Sequence, residues 1–128
     1  MQKTVVFVDD SKTVLITAEF ALKPLIESKK IKIIMYDDAT KFLLDVENGT
    51  SFDLLITDVN MPNINGLDMA KQIKSNPKFK TKPILALTTE NSPQIKSIAK
   101  EIGLTGWITK PFKSETLEKA IKRVLRLR

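Results

Sequence analysis

Five short apolar segments, separated by longer amphipathic ones, organise this chain. The apolar segments are 5–8, 31–36, 52–56, 83–87 and 106–108, with Lys32 and Asp53 as the charged interruptions. Segments that are apolar almost without alternation are typical of strands in a parallel sheet covered on both faces. The pattern therefore predicts five buried parallel strands.

Between and after these segments, apolar residues recur at the three- and four-residue spacing of a helix. The marker positions are Val14, Ala18, Leu22 and Leu25 in the first helix; Ala39, Phe42, Leu43 and Val46 in the second; Leu67, Ala70 and Ile73 in the third; Ile95, Ile98, Ala99 and Ile102 in the fourth; and Leu117, Ala120, Ile121 and Val124 in the fifth. Pro24 lies inside the first pattern and predicts that this helix kinks or ends early. Ser92, Pro93 and Gly103 supply an N-cap, a first helical residue and a C-terminal stop for the fourth.

Five strands alternating with five helices predict one doubly wound α/β domain over residues 1–128. Ligands of such domains bind beyond the carboxyl ends of the strands. The residues that follow the predicted strands are therefore the ones to inspect for chemistry.

Polar side chains follow four of the five predicted strands. These are Asp9 and Asp10, Asp58, Thr88 with Thr89 and Glu90 after it, and Lys110. Each has an ordinary structural interpretation by itself: Asp10 as a helix cap, Asp58 as a turn residue, Thr88 as a β-branched strand residue and Lys110 as a solvated charge. Because one sheet edge would gather all of them, the pattern favours a functional site over scattered structural roles.

The chemistry of that edge is restricted by composition. The chain has no Cys and no His, which excludes thiolate and imidazole nucleophiles, bases and metal ligands. A metal ion here must be bound by oxygens, which favours Mg²⁺. Two carboxylates about 4 Å apart repel by ~4 kcal/mol at an effective dielectric constant near 20, and a divalent cation reverses that repulsion. An Asp can act as a nucleophile and form an aspartyl phosphate. A metal ion, an ammonium group and a hydroxyl group would then neutralise the charge on the phosphoryl oxygens.

The net charge of +6 is confined to the C-terminal part of the chain. Residues 1–90 carry 12 Lys/Arg and 12 Asp/Glu, whereas residues 91–128 carry 9 and 3. This excess of positive charge either belongs to an ordinary solvated face or attracts an acidic partner. No apolar segment approaches the ~18 residues of a membrane helix, and a strand begins within the first few residues, so we expect a cytoplasmic protein.

Four motifs occur in order along the chain: "VDDS", "TDVNMPNINGLD", "ALTTE" and "WITKPF". With their predicted strand placement, they resemble the response-regulator receiver domains of two-component signalling, and most of all the single-domain CheY-type chemotaxis regulators. The resemblance spans essentially the whole chain. It implies a flavodoxin-like sheet of strand order 2-1-3-4-5.

The resemblance also implies roles for the residues of the acidic edge. Asp58 is the expected phosphoacceptor. Asp10 and Asp58 are expected to bind Mg²⁺ directly together with the backbone carbonyl of Asn60, while Asp9 holds a metal-bound water. Lys110 is expected to contact a phosphoryl oxygen, with a cis peptide bond to Pro111 that helps to aim it.

Signalling roles follow from the same resemblance. Thr88 is expected to move toward the phosphoryl group and to carry the change to the face formed by the fourth helix, fifth strand and fifth helix. Asn60 and Glu90 occupy positions that tune self-dephosphorylation. Two residues depart from the family pattern. Trp107 replaces the usual switch Tyr or Phe and needs a partner for its N–H when buried, and Thr89 replaces a smaller residue and could slow access of a phosphodonor or water.

The implied partners are proteins. A chain without His cannot phosphorylate itself from its own histidine, so the phosphoryl group comes from a partner histidine kinase or a small acyl phosphate. The basic C-terminal segment, residues 91–128, suits an acidic or amphipathic target peptide of the flagellar motor switch type. A phosphatase partner is also compatible with the resemblance. We expect a monomer that binds neither nucleic acid nor membrane.

Several other interpretations stay open at the sequence level. The chain could be a phosphorelay intermediate or a receiver excised from a longer regulator. A magnesium-dependent phosphatase with an Asp nucleophile would need a second Asp at the position of Asn60, which cannot titrate. A flavin-binding module would need a Ser/Thr/Gly-rich phosphate loop where "DDSKT" stands, and a nucleic-acid binder would have to use the basic segment "EKAIKRVLRLR", whose apolar residues are needed for the core.

Overall fold

The computed structural model of the chain describes residues 2–89 and 92–127. Within these ranges the strands are β1 (Lys3–Val8), β2 (Ile31–Tyr36), β3 (Leu54–Thr57), β4 (Ile84–Thr88) and β5 (Gly106–Thr109). The helices are α1 (Lys12–Ala21), α2 (Lys23–Glu27), α3 (Ala39–Glu47), α4 (Gly66–Lys74), α5 (Pro93–Ile102) and α6 (Ser114–Leu125). None of these helices is both long and apolar enough to cross a bilayer.

All five strands form one parallel sheet in the order β2-β1-β3-β4-β5, which confirms the predicted fold. The register pairs Val8 with Thr57 and Thr88 with Thr109. The carboxyl ends of the strands therefore lie along one edge, and the residues that follow them meet there.

Alternate residues of β1 pack into two separate cores, one on each face of the sheet. Val5 and Phe7 pack in the layer that contains α1 and α6, whereas Val6 and Val8 pack in the layer that contains α3 and α4. This alternation is the period of a strand buried on both faces. It explains why a continuous apolar segment precedes the aspartates at the end of β1.

The first predicted helix is broken into two, so the described residues contain six helices and not five. α1 ends at Ala21, and α2 begins at Lys23 with Pro24 in its first turn. Proline has no amide hydrogen to donate and is tolerated in a first turn, where that hydrogen would have no partner within the helix. The predicted early end at Pro24 is therefore confirmed, and the structure adds that a second short helix follows it.

The helix that precedes β5 has the predicted ends. The Ser92 hydroxyl accepts a hydrogen bond from the Ile95 amide at 3.2 Å, and Pro93 is the first residue of α5. Gly103 ends the helix with φ of 97°, a conformation that favours glycine. Between these ends, Ile95 and Ala99 of α5 pack in the same cluster as Trp107 of β5.

Candidate functional site

Three carboxylates converge at the carboxyl edge of the sheet. Asp9, Asp10 and Asp58 each place an oxygen within 4.8 Å of the others. The sheet register causes this meeting, because Asp9 and Asp58 directly follow the paired residues Val8 and Thr57. The Asp58 amide also donates to the Val8 carbonyl at 2.9 Å, which extends the pairing of the two strands by one step.

The two adjacent aspartates have different surroundings. Asp9 is 1% exposed, its Oδ1 accepts from the Ser11 amide at 2.9 Å, and its Oδ2 lies 2.6 Å from Lys110 Nζ. Asp10 is exposed, and it takes part in none of the ion pairs of the described residues. Asp10 is therefore the more accessible ligand, while both oxygens of Asp9 are already engaged.

Asp58 is buried and oriented by the backbone. Its Oδ1 accepts a hydrogen bond from the Val59 amide at 2.8 Å, and its Oδ2 lies 3.4 Å from Lys110 Nζ. Burial raises the pKa of Asp58, the negative charge of Asp9 raises it further, and Lys110 opposes both effects. Burial and Asp9 thus disfavour the charged form of Asp58, and Lys110 favours it.

Asp9, Asp10 and Asp58 form what we call the acidic pocket, and Lys110 reaches it from the end of β5. Its side chain is 14% exposed, and its ammonium contacts Asp9 and Asp58. Its amide donates to the Thr88 carbonyl at 2.9 Å, and its peptide bond to Pro111 is cis, as the resemblance implies. Lys110 therefore joins the ends of β4 and β5 to the carboxylates at the ends of β1 and β3.

The donor set fits a hard divalent cation. Three carboxylates face one ammonium, which leaves two negative charges at full ionisation. The pocket offers only oxygen ligands, the type that Mg²⁺ prefers, and a divalent cation would neutralise the excess charge. The residues present at this edge could hold a metal ion.

Gly66 supports the pocket in a way that the sequence analysis did not identify. A Cβ atom at this residue would lie 1.8 Å from the Asp58 carbonyl oxygen, and the Gly66 amide donates to the Val59 carbonyl at 2.8 Å. Only a glycine lets the start of α4 approach the Asp58 backbone this closely. The signal in the sequence was the glycine at the end of the loop "NMPNING".

The remaining predicted site residues surround the pocket at different depths. Thr88 is completely buried at the end of β4, Asn60 is exposed after β3, and Glu90 lies outside the described residues. Thr89 is exposed and lines a cavity of about 340 Å³ that also includes Lys110 and Phe112. Thr89 therefore shares this cavity with Lys110, the residue whose ammonium contacts Asp9 and Asp58.

Trp107 lies on β5, which is separated from β3 and Asp58 by one strand, β4. The register runs from Thr57 in β3 to Ala86 in β4 and on to Trp107 in β5. The indole packs against a buried cluster that contains Ala86 and Val59, the residue that follows Asp58. Its Nε1 is buried and has no hydrogen-bond partner, so the partner that the sequence analysis required is missing among the residues the structure describes.

Comparison with known proteins gives a consistent picture. The family model described as "Response regulator receiver domain" matches residues 5–122. "Chemotaxis protein CheY1" of Helicobacter pylori is 40% identical over 72 residues, which are 56% of this chain and 58% of that protein. The chain thus spans less than two thirds of the length of that relative.

Two further relatives match more of the chain. "Chemotaxis protein CheY" of Pseudomonas aeruginosa is 32% identical over 88 residues, which are 69% of this chain and 70% of that protein. The solved structure of Vibrio cholerae chemotaxis protein CheY4 has a TM-score of 0.86 and 35% identity, and the match covers 97% of this chain and 99% of that one.

Proposed function

We propose that this chain, which belongs to the response regulator receiver domain family, is a phosphorylation-activated switch in chemotaxis signalling. Asp58 accepts a phosphoryl group, and the change alters target binding on the face formed by α5, β5 and α6. The observation that supports this most strongly is the buried Asp58 carboxylate with Lys110 Nζ at 3.4 Å and oxygens of Asp9 and Asp10 within 4.8 Å. Residues 1–128 act as one receiver domain in this proposal.

Mg²⁺ is the cofactor in this proposal. Asp10, Asp58 and the backbone carbonyl of Asn60 would hold the ion directly, and Asp9 would act on it indirectly, through water. When bound, the ion neutralises charge on the carboxylates and on the phosphoryl oxygens. The engagement of both Asp9 oxygens supports an indirect role for that residue.

The transfer step requires an ionised Asp58 and a donor in line with it. An Asp58 oxygen attacks phosphorus and forms an O–P bond, while the N–P bond of a phosphohistidine, or the O–P bond of an acyl phosphate, breaks and leaves its electron pair on the donor. The Val59 amide fixes the carboxylate, and Lys110 stabilises charge on the phosphoryl oxygens. Thr89 narrows the approach, and Asn60 and Glu90 tune the later attack of water.

The signal then passes from Asp58 to Trp107 over two routes. Thr88 is buried at the end of β4, where its hydroxyl can turn toward a phosphoryl group. Val59 is hydrogen-bonded to the Asp58 carboxylate and packs in the same cluster as Trp107. Both routes are short because β3, β4 and β5 are neighbours in the sheet.

The partners in this proposal are a histidine kinase as phosphodonor and a protein target of the flagellar motor switch type. The relatives named as chemotaxis proteins support this choice. A phosphatase would act on the phosphorylated state. The chain itself is a signalling domain, as receiver domains of this family are, and works as a monomer.

The fluorescence of Trp107, the chain's one tryptophan, tests the switch. Acetyl phosphate with Mg²⁺ is expected to change the emission of the wild-type chain, because the cluster beneath the indole rearranges when Asp58 is modified. Asp58→Asn is expected to abolish the change, and Thr88→Ala to reduce it while leaving phosphorylation intact. An emission that stays constant while the chain becomes phosphorylated would contradict the switch.

A further inference from the structure

The cavity of about 340 Å³ that Thr89 lines, which we call the side cavity, shares its surrounding segments with the acidic pocket. Thr13 and Val14 line it from the start of α1, a few residues after Asp10. Thr89 directly follows β4, and Lys110 directly follows β5. Because the Lys110 ammonium contacts carboxylates of the acidic pocket, this residue belongs to both places.

The lining of the side cavity is mostly apolar. Its apolar residues are Val14, Pro111 and Phe112. Thr17 also lines the cavity, and its hydroxyl donates to the Thr13 carbonyl at 2.8 Å, so this hydroxyl already has a backbone partner. Among the lining residues that the structure describes, only Lys110 carries a charge, and its ammonium is paired with carboxylates. The side cavity therefore suits an uncharged, apolar group better than a polar one.

The orientation of Asp58 relates the side cavity to the transfer step. Asp58 Oδ1 accepts a hydrogen bond from the Val59 amide at 2.8 Å, whereas Oδ2 lies 3.4 Å from Lys110 Nζ. Oδ2 therefore faces the residue that also lines the side cavity. A phosphoryl group held by Lys110 beside Asp58 brings its leaving group within reach of this space, whose volume lies in the range of small-molecule sites.

We propose that the side cavity receives the leaving group of a small phosphodonor, and that the donor class it takes is an acyl phosphate with a short alkyl chain. This inference rests on the proposed function in taking Asp58 as the nucleophile. An Asp58 oxygen forms the new O–P bond while the O–P bond to the acyl group breaks, and the electron pair of that bond stays on the departing carboxylate. The alkyl chain of the carboxylate packs on Val14 and Phe112, and the phosphoryl oxygens stay beside Lys110.

Acetyl phosphate and butyryl phosphate test this inference, because their leaving groups are carboxylates of nearly equal basicity that differ in chain length. Intact mass measures the initial rate at which each donor, at the same low concentration and with Mg²⁺, phosphorylates the full chain. Butyryl phosphate is expected to react about tenfold faster, as burial of its additional methylene groups predicts. Phe112→Ala is expected to bring the two rates within about twofold of each other, and Phe112→Leu to keep most of the difference. Thr17→Val, which replaces a hydroxyl of the lining by a methyl, is expected to widen the difference about twofold.

Binding of unreactive analogues separates this inference from the proposed function. In the analogues, CH₂ replaces the bridging oxygen of each donor, and calorimetry with Mg²⁺ is expected to show about tenfold tighter binding of the butyryl analogue. Phe20→Ala, which truncates a 75% exposed aromatic side chain elsewhere on α1, is expected to leave this preference unchanged. Equal affinities for the two analogues, measurable but equal rates with the two donors, or a preference that Phe112→Ala leaves unaltered would overturn the inference. A chain that neither donor phosphorylates but that still prefers the butyryl analogue would contradict the proposed function, while the assignment of the side cavity would stand.

Discussion

At the residue scale, the two neighbouring aspartates of the site differ in burial and in their partners. Asp9 is buried and held by Ser11 and Lys110, whereas Asp10 is exposed. Successive residues at a strand end point in opposite directions, and this division follows from that alternation. One buried and one accessible carboxylate let the same dipeptide orient Lys110 and offer a ligand to a cation.

Asp58→Asn is expected to raise the thermal stability of the chain at neutral pH in EDTA. Burial, with a further contribution from Asp9, raises the pKa of Asp58 above its ordinary value of 3.8. The folded state therefore holds the Asp58 proton more tightly than the unfolded state, and its stability falls as pH rises through this range. Thermal unfolding across pH is expected to show a gain for the variant at neutral pH that vanishes below 3.8. A variant that melts below the wild type at neutral pH would refute the electrostatic account.

The sequence predicted that these side chains would meet at one edge of the sheet, but not the groups that hold them there. Asp9, Asp10, Asp58 and Lys110 follow predicted strands, so a parallel sheet had to bring them to one edge. The amide of Val59, which orients Asp58, and the unpaired N–H of Trp107 are properties of local geometry. No residue pattern encodes a backbone direction or a missing acceptor, so these features required the structure.

At the scale of elements, α4 begins in close contact with the backbone at the end of β3, next to Asp58. The Asn65 side chain caps α4 by accepting from the Leu67 amide at 2.7 Å, and Gly66 then touches the Asp58 backbone. The helix start and the strand end are thus in direct backbone contact. A side chain cannot be added at this contact without moving one of the two elements.

Gly66→Ala is expected to lower the free energy of unfolding by about 1–3 kcal/mol, as overpacking of a tight site does. The added methyl would lie 1.8 Å from the Asp58 carbonyl oxygen, which belongs to the backbone and cannot rotate away. Denaturant unfolding measures the effect. Gln72→Ala, on the exposed side of the same helix, is the matched control and is expected to stay within about 0.5 kcal/mol of the wild type. Equal stability of Gly66→Ala and the control would show that the contact is not constrained.

Tyr36→Phe is expected to lower the stability of the chain, because it removes a hydrogen bond between β2 and α3. The phenol donates to Asp45 Oδ2 at 2.7 Å. Burial and this bond raise the pKa of Tyr36 to about 12, and the same bond is the main cause that lowers the pKa of Asp45. The lowered Asp45 pKa contributes stability above 3.8 that is lost in acid, and the raised Tyr36 pKa contributes stability below 10.0 that is lost in base.

The loss of stability in Tyr36→Phe is therefore expected to be largest between pH 3.8 and pH 10.0, the ordinary pKa values of the Asp and Tyr side chains. Thermal unfolding of Tyr36→Phe, Asp45→Asn and the double variant across pH measures the coupling between the two side chains. The coupling is expected at neutral pH and should disappear in acid, where Asp45 is protonated. A coupling that persists unchanged in acid would mean that the charge of Asp45 is not involved.

The elements themselves were predictable to different degrees. The caps of α5 were read correctly from Ser92, Pro93 and Gly103, because each residue type has a strong local preference. The first helix was predicted to kink or end early at Pro24, and the structure resolves this as two helices. Local preference identifies the breaking residue, but packing of Leu22 and Leu25 into the core decides that the chain resumes a helix.

At the scale of the whole molecule, the acidic pocket and the basic residues around Trp107 lie on different parts of the domain. The carboxylates lie at the ends of β1 and β3, while four cations around Trp107 belong to α5 and α6, namely Lys96, Lys100, Lys119 and Arg123. In the proposed function, the phosphodonor and the target would therefore bind to different surfaces. The excess of six positive charges in residues 91–128 fits this arrangement, because all four of these cations come from that segment.

The most direct test of the central claim is the intact mass of the chain after incubation with acetyl phosphate and Mg²⁺. The account predicts a gain of one phosphoryl group that is absent in Asp58→Asn and with EDTA, and that requires more Mg²⁺ in Asp10→Asn. A phosphoryl group that still appears on Asp58→Asn, or a wild-type chain whose mass does not change, would contradict the account.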